Sequence, residues 1–365
     1  MLLKDYIPDI PKRFYQINFS GIAFNSLKVK KNDIFFAIKG KKFDGNNFIS
    51  QAIKKGAKVI ISQKKNQKKN TDVIFLYSSN PRKLLAEVSY KIYDKRVEKL
   101  VAVTGTNGKS SVADFYFQIL KLNSKQVASI GTLGLKYKSK TKNLENTTSD
   151  PIQIGSMLKN LRKKKIKFAI MEASSHGLDQ NRLDGLKFDI GIFTNLSHDH
   201  LDYHKNMKNY LNSKLYLFKN LIKKEGHIIA DENIPEAQKI KKISIKKNIN
   251  LSLIHNESNG IQLVSHRFEK EKQILEIKFK KAKYKIYLNL IGKIQVKNIL
   301  MAIIAANNSG IEFKKILKIL PRITSVEGRL EKIGKIHNNS KVILDYAHTP
   351  AAVSYTHLRA HETSR

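Results

Sequence analysis

The chain has 365 residues, 41% of them hydrophobic, with no cysteine, and its 68 Lys and Arg against 30 Asp and Glu give a formal net charge of +38. Without cysteine, disulfides and thiolate metal sites are excluded, which suits a reducing, cytoplasmic compartment. No apolar run approaches the roughly 20 residues that span a bilayer, so no membrane insertion is expected, and the opening MLLKDYIPDIPKRF sets prolines and charges where a signal peptide needs an unbroken apolar stretch.

Residues 1–97 read as a small α/β unit. Asp33–Gly40 and Lys58–Ser62 are strand-like, and Phe48–Ala57 between them has helical periodicity. Val73–Ser79 is a further strand, followed by Asn80 and Pro81 as a helix start and an amphipathic run to Tyr93. A second unit, residues 98–325, opens with the apolar run Leu100–Val103, the turn Gly105–Gly108 and the amphipathic run Val112–Leu122. Helices are predicted at Ile152–Lys164 and Met207–Lys223, and strands at Lys167–Ser174, Asp189–Asn195 and His227–Ala230. This alternation predicts an α/β fold with a mostly parallel sheet and helices on both faces. Residues 232–290 differ: Ile274–Leu290 alternates with period two, which predicts antiparallel hairpins. Val296–Gly310 is a helix with a glycine stop, and a third unit begins near Val326 with about forty residues left for it.

Strand, glycine turn, Lys109, Ser110, Ser111 and helix read as a phosphate-binding loop for ATP or GTP, the alternative being an ordinary strand-helix turn. Glycines let backbone N–H groups close around phosphate oxygens, and the helix N-terminus adds positive potential. Lys109 supplies charge for the outer phosphates and Ser110 a hydroxyl for magnesium. The turn is tighter than the usual G-x4-G-K-[ST], because position 103 is Val. Glu172 ends a strand, where open α/β sheets build their sites, and reads either as a Mg²⁺ carboxylate or as a surface loop residue. Ser174, Ser175 and His176 beside it read as loop filler when taken alone. Asn195–His204 holds three His and two Asp. Zinc, a hard metal held partly by carboxylates, and a helix N-cap with solvated His all fit that cluster.

TGTNGKSS (Thr104–Ser111), NTTSDP (Asn146–Pro151), MEASSHGLDQNR (Met171–Arg182), TNLSHDHLDYH (Thr194–His204) and Lys214 occur in the order in which the Mur ligases carry them. From about residue 20 to residue 350 the chain resembles that family, in its branch that adds the third peptide residue. Ala23–Ile49 is similar to the family's uridine-binding domain, and VEGRLE (Val326–Glu331) and LDYAHTP (Leu344–Pro350) to the start of its third, Rossmann-like domain. The resemblance implies a small uridine-binding domain (1–97), a central P-loop ATPase domain (98–325) and only the start of the third domain (326–353). It implies an ATP-dependent ligase joining an amino acid to UDP-MurNAc-L-Ala-D-Glu through an acyl phosphate.

Carried over residue by residue, Gly105, Thr106, Asn107, Gly108, Lys109, Ser110 and Ser111 would hold ATP phosphates, and Asn298, Arg329 and Asp345 would meet the adenosine and phosphate end of ATP. Ser110 and Glu172 would hold one Mg²⁺; Glu172, His200 and Lys214 would hold a second. A free ammonium is electrostatically wrong beside two divalent cations, and in the family the lysine matching Lys214 is carbamylated by CO₂. Substrate contacts would fall to Phe24, Ser26, Lys41, Lys42 and Phe43 on the uridine side, and to Asn146, Thr147, Thr148, Ser174, Gln180 and Arg182 elsewhere. A guanidinium fork such as that of Arg182 suits carboxylate or phosphate.

Departures from the family pattern are Asn25 for Asp, Leu27 for Arg and Gln295 for Asn. After Pro350 the family continues into an amino-acid-binding domain, whereas this chain ends AAVSYTHLRAHETSR. Residues 354–365 lack helical periodicity and are expected to be a non-native tail. The chain is then expected to be inactive alone, with the choice between meso-diaminopimelate and L-lysine lying outside it. Alternatives are the D-Ala-D-Ala-adding ligase, a folylpolyglutamate synthase, a non-catalytic nucleotide-sugar-binding fragment and a basic nucleic-acid protein. SSHGLDQNR and NTT oppose the first two. Nucleic-acid interfaces lean on Arg and stacking aromatics; here Lys dominates and is spread along the whole chain, so nucleic acid is not an expected partner.

Overall fold

The computed structural model describes residues 1–365 except 41–42, 65–71, 257, 259, 270–271, 336–340, 350–352 and 355–365. Lys41 and Lys42 therefore lie outside the described residues, as does the 354–365 tail apart from Ser354. Two compact units are present. The first is Met1–Arg96 with Asp150–Lys159 and Gln180–Leu186; the second is Val97–Ser149 with Asn160–Asp179 and Lys187–Arg365.

In the first unit β1 (Ile22–Ala23), β2 (Ile34–Ala37), β3 (Val59–Ser62) and β4 (Ile74–Tyr77) form a parallel sheet in that order. Helix α1 (Ile49–Lys54) lies between β2 and β3 in the chain, and α2 (Pro81–Ile92) follows β4. Both faces of the sheet are covered, as parallel strands require: Ile34, Phe36, Val59 and Ile61 join Leu3, Leu85 and Val88, while Phe35, Ala37 and Ile60 join Ala52 and Val73. Helix α2 starts where its sequence demands. Asn80 Oδ1 accepts the Lys83 N–H at 3.0 Å, and Pro81 needs no N–H partner there.

The remaining elements, in chain order, are β5 (Lys99–Thr104), α3 (Lys109–Leu122), β6 (Val127–Gly131), β7 (Gly134–Tyr137), β8 (Lys140–Lys142), α4 (Pro151–Lys163) and β9 (Phe168–Glu172). They continue as α5 (Ser175–Asp179), β10 (Phe188–Phe193), α6 (Leu201–His204), α7 (Met207–Tyr216), β11 (Ile222–Asp231), α8 (Ala237–Lys247) and β12 (Asn250–Ile254). Last come β13 (Ile261–Glu269), β14 (Lys272–Phe279), β15 (Ala282–Leu288), α9 (Lys293–Asn308), α10 (Phe313–Ile319), β16 (Glu331–Lys335) and β17 (Lys341–Leu344).

Eleven strands form one sheet in the order β15-β14-β13-β12-β11-β10-β5-β9-β6-β7-β8. Its middle, from β13 to β6, is parallel, and both flanks turn antiparallel. Helices α3 and α9 pack together and are buried on nearly all sides, with Phe115, Tyr116, Ile119, Ile299, Leu300 and Ile303 in one core. The Tyr116 hydroxyl there meets Ser309 Oγ at 2.9 Å, so its polar end is satisfied.

Three segments differ from the sequence reading. Met207–Lys223 is not one helix. Helix α7 ends at Tyr216, a wider turn spans Leu217–Leu221, and β11 then begins, ten residues long where only His227–Ala230 read as strand. Leu217, Phe218, Leu221 and Ile222 have helical spacing, but pairing of Ile222 with Phe188 draws the chain into the sheet. Within residues 232–290 a helix and a parallel strand, α8 and β12, precede the antiparallel hairpins. The Ser174–His176 stretch is not plain loop, because α5 starts at Ser175.

Candidate active site

Strand β5 has β10 on one side and β9 on the other, so the chain leaves it at the switch point of the parallel sheet. The turn after β5 needs its glycines. Gly105 has φ +149 and Gly108 φ +84; a Cβ on the first would collide with Thr194 Oγ1, and one on the second would sit 2.5 Å from Asn298 Oδ1. The turn is held from the next strand: the Asn107 N–H donates to Asn195 Oδ1 at 2.9 Å, and Thr194 Oγ1 donates to the Asn107 carbonyl at 2.6 Å. Gly108 caps α3, so Lys109, Ser110 and Ser111 form the first helical turn and its N–H groups face the cleft. Lys109 Nζ donates to the carbonyls of Gly105 (3.0 Å) and Thr106 (2.7 Å). Burial lowers its pKa, and Glu172 opposes that shift.

Glu172 is 2% exposed at the end of β9. Its carboxylate accepts from the Thr132 N–H at 2.8 Å, Ser110 Oγ at 3.1 Å and Thr132 Oγ1 at 3.2 Å. Across the loop, Lys214 on α7 is 1% exposed. Its Nζ donates to the Gly105 carbonyl at 2.7 Å and lies 4.3 Å from the Tyr210 ring centroid. No carboxylate among the described residues pairs with it. Burial, reinforced by the neighbouring charge of Lys109, holds its pKa well below the ordinary lysine value. His200 takes the left-handed φ of +52, with its ring 4.9 Å from that of His176 and its Nδ1 3.4 Å from Asp199. Burial lowers its pKa too, against the pull of Asp199.

One cleft with a cavity volume of about 300 Å³ collects most of the residues singled out from the sequence: Thr106 to Ser111, Thr147, Glu172, Ser174, His200, Lys214, Asn298, Arg329 and Asp345. Gly105 shapes its wall through the two lysines. Asn298 is held by Gln295, whose Oε1 accepts from it at 2.9 Å. Asp345 Oδ1 accepts the Leu330 N–H at 3.2 Å, and the Arg329 guanidinium lies 5.2 Å from the Tyr346 ring centroid. Thr148 does not line the cleft; its hydroxyl donates to the Glu172 carbonyl at 2.8 Å. Asn146 is exposed outside it. Phe24, Ser26, Phe43, Gln180 and Arg182 belong to the first unit. There Ser26 Oγ donates to Gln51 at 2.6 Å, Phe43 is 70% exposed, and Arg182 donates to Gln180 Oε1. Asn25, the departure beside Ser26, caps that turn by accepting the Leu27 N–H at 2.9 Å.

Thr132 and Tyr210 also line the cleft and were not singled out from the sequence. Their contribution is to hold other groups, as when Tyr210 OH meets Thr106 Oγ1 at 3.1 Å. Among the described residues no three His, Asp or Glu side chains converge into a ready-made metal cluster. Hydroxyl and carboxylate oxygens from Ser110 and Glu172 with one imidazole suit a hard cation completed by phosphate oxygens and water, and do not suit a closed zinc cage.

Comparison with known proteins bears on this architecture. The Mur ligase middle domain matches residues 103–306, and the Mur ligase family catalytic domain matches residues 18–103. The UDP-N-acetylmuramoyl-L-alanyl-D-glutamate–2,6-diaminopimelate ligase of Rickettsia rickettsii is 36% identical over 350 residues, covering 94% of this chain and 71% of that relative. The chain belongs to the Mur ligase family. Its Zymomonas mobilis relative of the same name is 37% identical over 330 residues, 90% of this chain and 68% of the relative. A solved 2,6-diaminopimelate ligase structure superposes on this Mur ligase with a TM-score of 0.82 at 24% identity, covering 97% of this chain and 72% of that one. The MurF ligase of Thermotoga maritima in complex with ADP gives 0.62 at 20%, covering 92% and 73%. At those identities the two structures speak for the α/β fold. No helix among the described residues is long and apolar enough to cross a membrane.

Proposed function

We propose that this Mur ligase uses ATP to join an amino acid to the D-glutamyl end of UDP-MurNAc-L-Ala-D-Glu, adding the third peptide residue in cytoplasmic peptidoglycan precursor synthesis. The observation that carries the reading is the convergence in one cleft of a phosphate loop, the Glu172–Ser110 oxygen pair and the buried Lys214. Names of the 34–37% identical relatives favour 2,6-diaminopimelate over L-lysine as the amino acid.

In this reading a substrate carboxylate oxygen attacks the γ-phosphorus of ATP, ADP leaves, and an acyl phosphate forms. The incoming amine then attacks the acyl carbon, inorganic phosphate leaves, and the nitrogen gives up a proton. Both reactants are anionic, so cations must neutralise charge as they meet. Lys109 and the amides from Gly105 to Ser111 cradle the phosphates; Asn298, Arg329 and Asp345 meet the adenosine and phosphate end of ATP. Ser110, Glu172, His200 and a carbamylated Lys214 would hold Mg²⁺, which supplies Lewis-acid stabilisation of the transferred phosphoryl group. The depressed pKa of Lys214 favours the neutral amine, whose lone pair can bond to the carbon of CO₂; loss of a proton then leaves an anionic carbamate.

The uridine end is assigned to residues 1–97 through Phe24, Ser26 and Lys41–Phe43, with Asn146, Thr147, Thr148, Ser174, Gln180 and Arg182 meeting the sugar and peptide. Residues 98–325 form the ATP domain and residue 326 starts the third. Calorimetry at physiological salt tests the reading without requiring turnover. UDP-MurNAc-L-Ala-D-Glu should bind with a Kd of roughly micromolar order, and single-stranded RNA only weakly and in a salt-labile way. The opposite order would reject the ligase reading in favour of a basic nucleic-acid protein.

A further inference from the structure

Thr132 stands between two groups of different function. Its hydroxyl lies 3.2 Å from Glu172 Oε2 and 3.0 Å from Thr147 Oγ1, and its own N–H donates to Glu172 Oε1 at 2.8 Å. A hydroxyl has one hydrogen to give, and a carboxylate only accepts. The Thr132 hydrogen therefore goes to Glu172, so Thr132 must accept from Thr147. Thr147, which lines the cleft, has then spent its only hydrogen inward and turns lone pairs outward. The same logic acts at Ser110, whose hydroxyl donates to Glu172 at 3.1 Å and presents lone pairs to a cation. Thr148 is likewise spent, donating to the Glu172 carbonyl at 2.8 Å while accepting the Ser174 N–H at 2.9 Å.

We infer that Thr132 is a positioning residue that transmits the acceptor character of Glu172 to Thr147, so that Thr147 selects a neutral N–H or O–H donor of the sugar-peptide substrate. An amide or a sugar hydroxyl fits there; a carboxylate or phosphate oxygen would face lone pairs and be refused. This rests on the nucleotide-sugar reading above and adds the hydrogen-bond polarity of one subsite. It also links that subsite to the carboxylate proposed to hold metal.

Calorimetry with UDP-MurNAc-L-Ala-D-Glu and near-isosteric variants of the whole chain tests it. Losing one neutral hydrogen bond weakens binding by about tenfold, so Thr147→Val and Thr132→Val should each do so. Thr132→Ser, which keeps the hydroxyl, should bind within about twofold of wild type. The double variant should bind about as weakly as Thr147→Val alone, because the relay is one unit. Thr132→Val binding like wild type, or additive losses in the double variant, would overturn the relay and leave the ligase reading standing. A wild-type chain that fails to bind this ligand would remove both.

Discussion

At the scale of single residues, the proposed reaction turns on the state of Lys214. An ammonium held at 1% exposure with no carboxylate partner among the described residues costs several kcal/mol, and Lys109 lies close enough to worsen it. Conversion to a carbamate reverses the sign of the charge beside the phosphates. Wild-type chain equilibrated with ¹³C-bicarbonate should show one carbamate carbon resonance that is absent from Lys214→Arg. In a protein that also carries the amino-acid-binding domain, Lys214→Ala should lose at least about a hundredfold in ligase turnover, with partial rescue by acetate or formate. Unimpaired turnover without rescue would take Lys214 out of the site. The sequence alone showed the phosphate loop and the strand-end placement of Glu172, because glycine spacing and an apolar run are local signals. Lys214 is one of 68 basic residues and stood out only through family resemblance. Thr132 carries no local signal. Its partners are 15 and 40 residues away, and only the side-by-side placement of β6 and β9 brings it to Glu172.

At the scale of elements, α9 must be fixed for Asn298 to close against Gly108, and a charge at the end of β11 helps fix it. Asp231 is 1% exposed and accepts from Lys297 Nζ on α9 at 2.8 Å, from the Asn233 N–H at 2.9 Å and from His255 Nδ1 at 2.9 Å. Burial opposes ionisation, yet these partners outweigh it and bring the Asp231 pKa from 3.8 to about 2. A folded-state pKa below the unfolded one means the stabilisation is complete above the unfolded value. It shrinks as pH falls and is gone once pH passes below the folded value. The shift corresponds to about 2 kcal/mol. Urea unfolding of wild type should lose that much, relative to Asp231→Asn, as pH falls from about 5 to about 2. Parallel stability curves for the two proteins would show that Asp231 is not the titrating anchor. Helix α9 itself was legible from its apolar run. This anchor was not, since Asp231 on β11, His255 just past β12 and Lys297 on α9 read separately. The same limit applies to Met207–Lys223, where apolar spacing predicts one helix but pairing with Phe188 ends it early.

For the whole molecule, the excess of 68 basic over 30 acidic residues makes self-repulsion a large term that no single contact reveals. Ion pairs compensate little. Exposed pairs such as Lys83–Glu87 at 3.9 Å and Lys315–Glu312 at 3.6 Å are long and solvated, and the closer Arg162–Glu98 pair is also half exposed, so each contributes below about 1 kcal/mol. Salt screens both attraction and repulsion, with a Debye length near 10 Å at about 0.1 M, so the commoner interaction sets the sign. Like charges are the commoner here. The melting temperature should therefore rise by several degrees between roughly 20 mM and 300 mM sodium chloride, followed by circular dichroism at constant pH. Affinity for an anionic nucleotide sugar should fall over the same range as steering weakens. A melting temperature that drops with salt would mean that favourable pairs outweigh repulsion in the folded state, and that the net charge has been neutralised locally by the way the fold intersperses its acids.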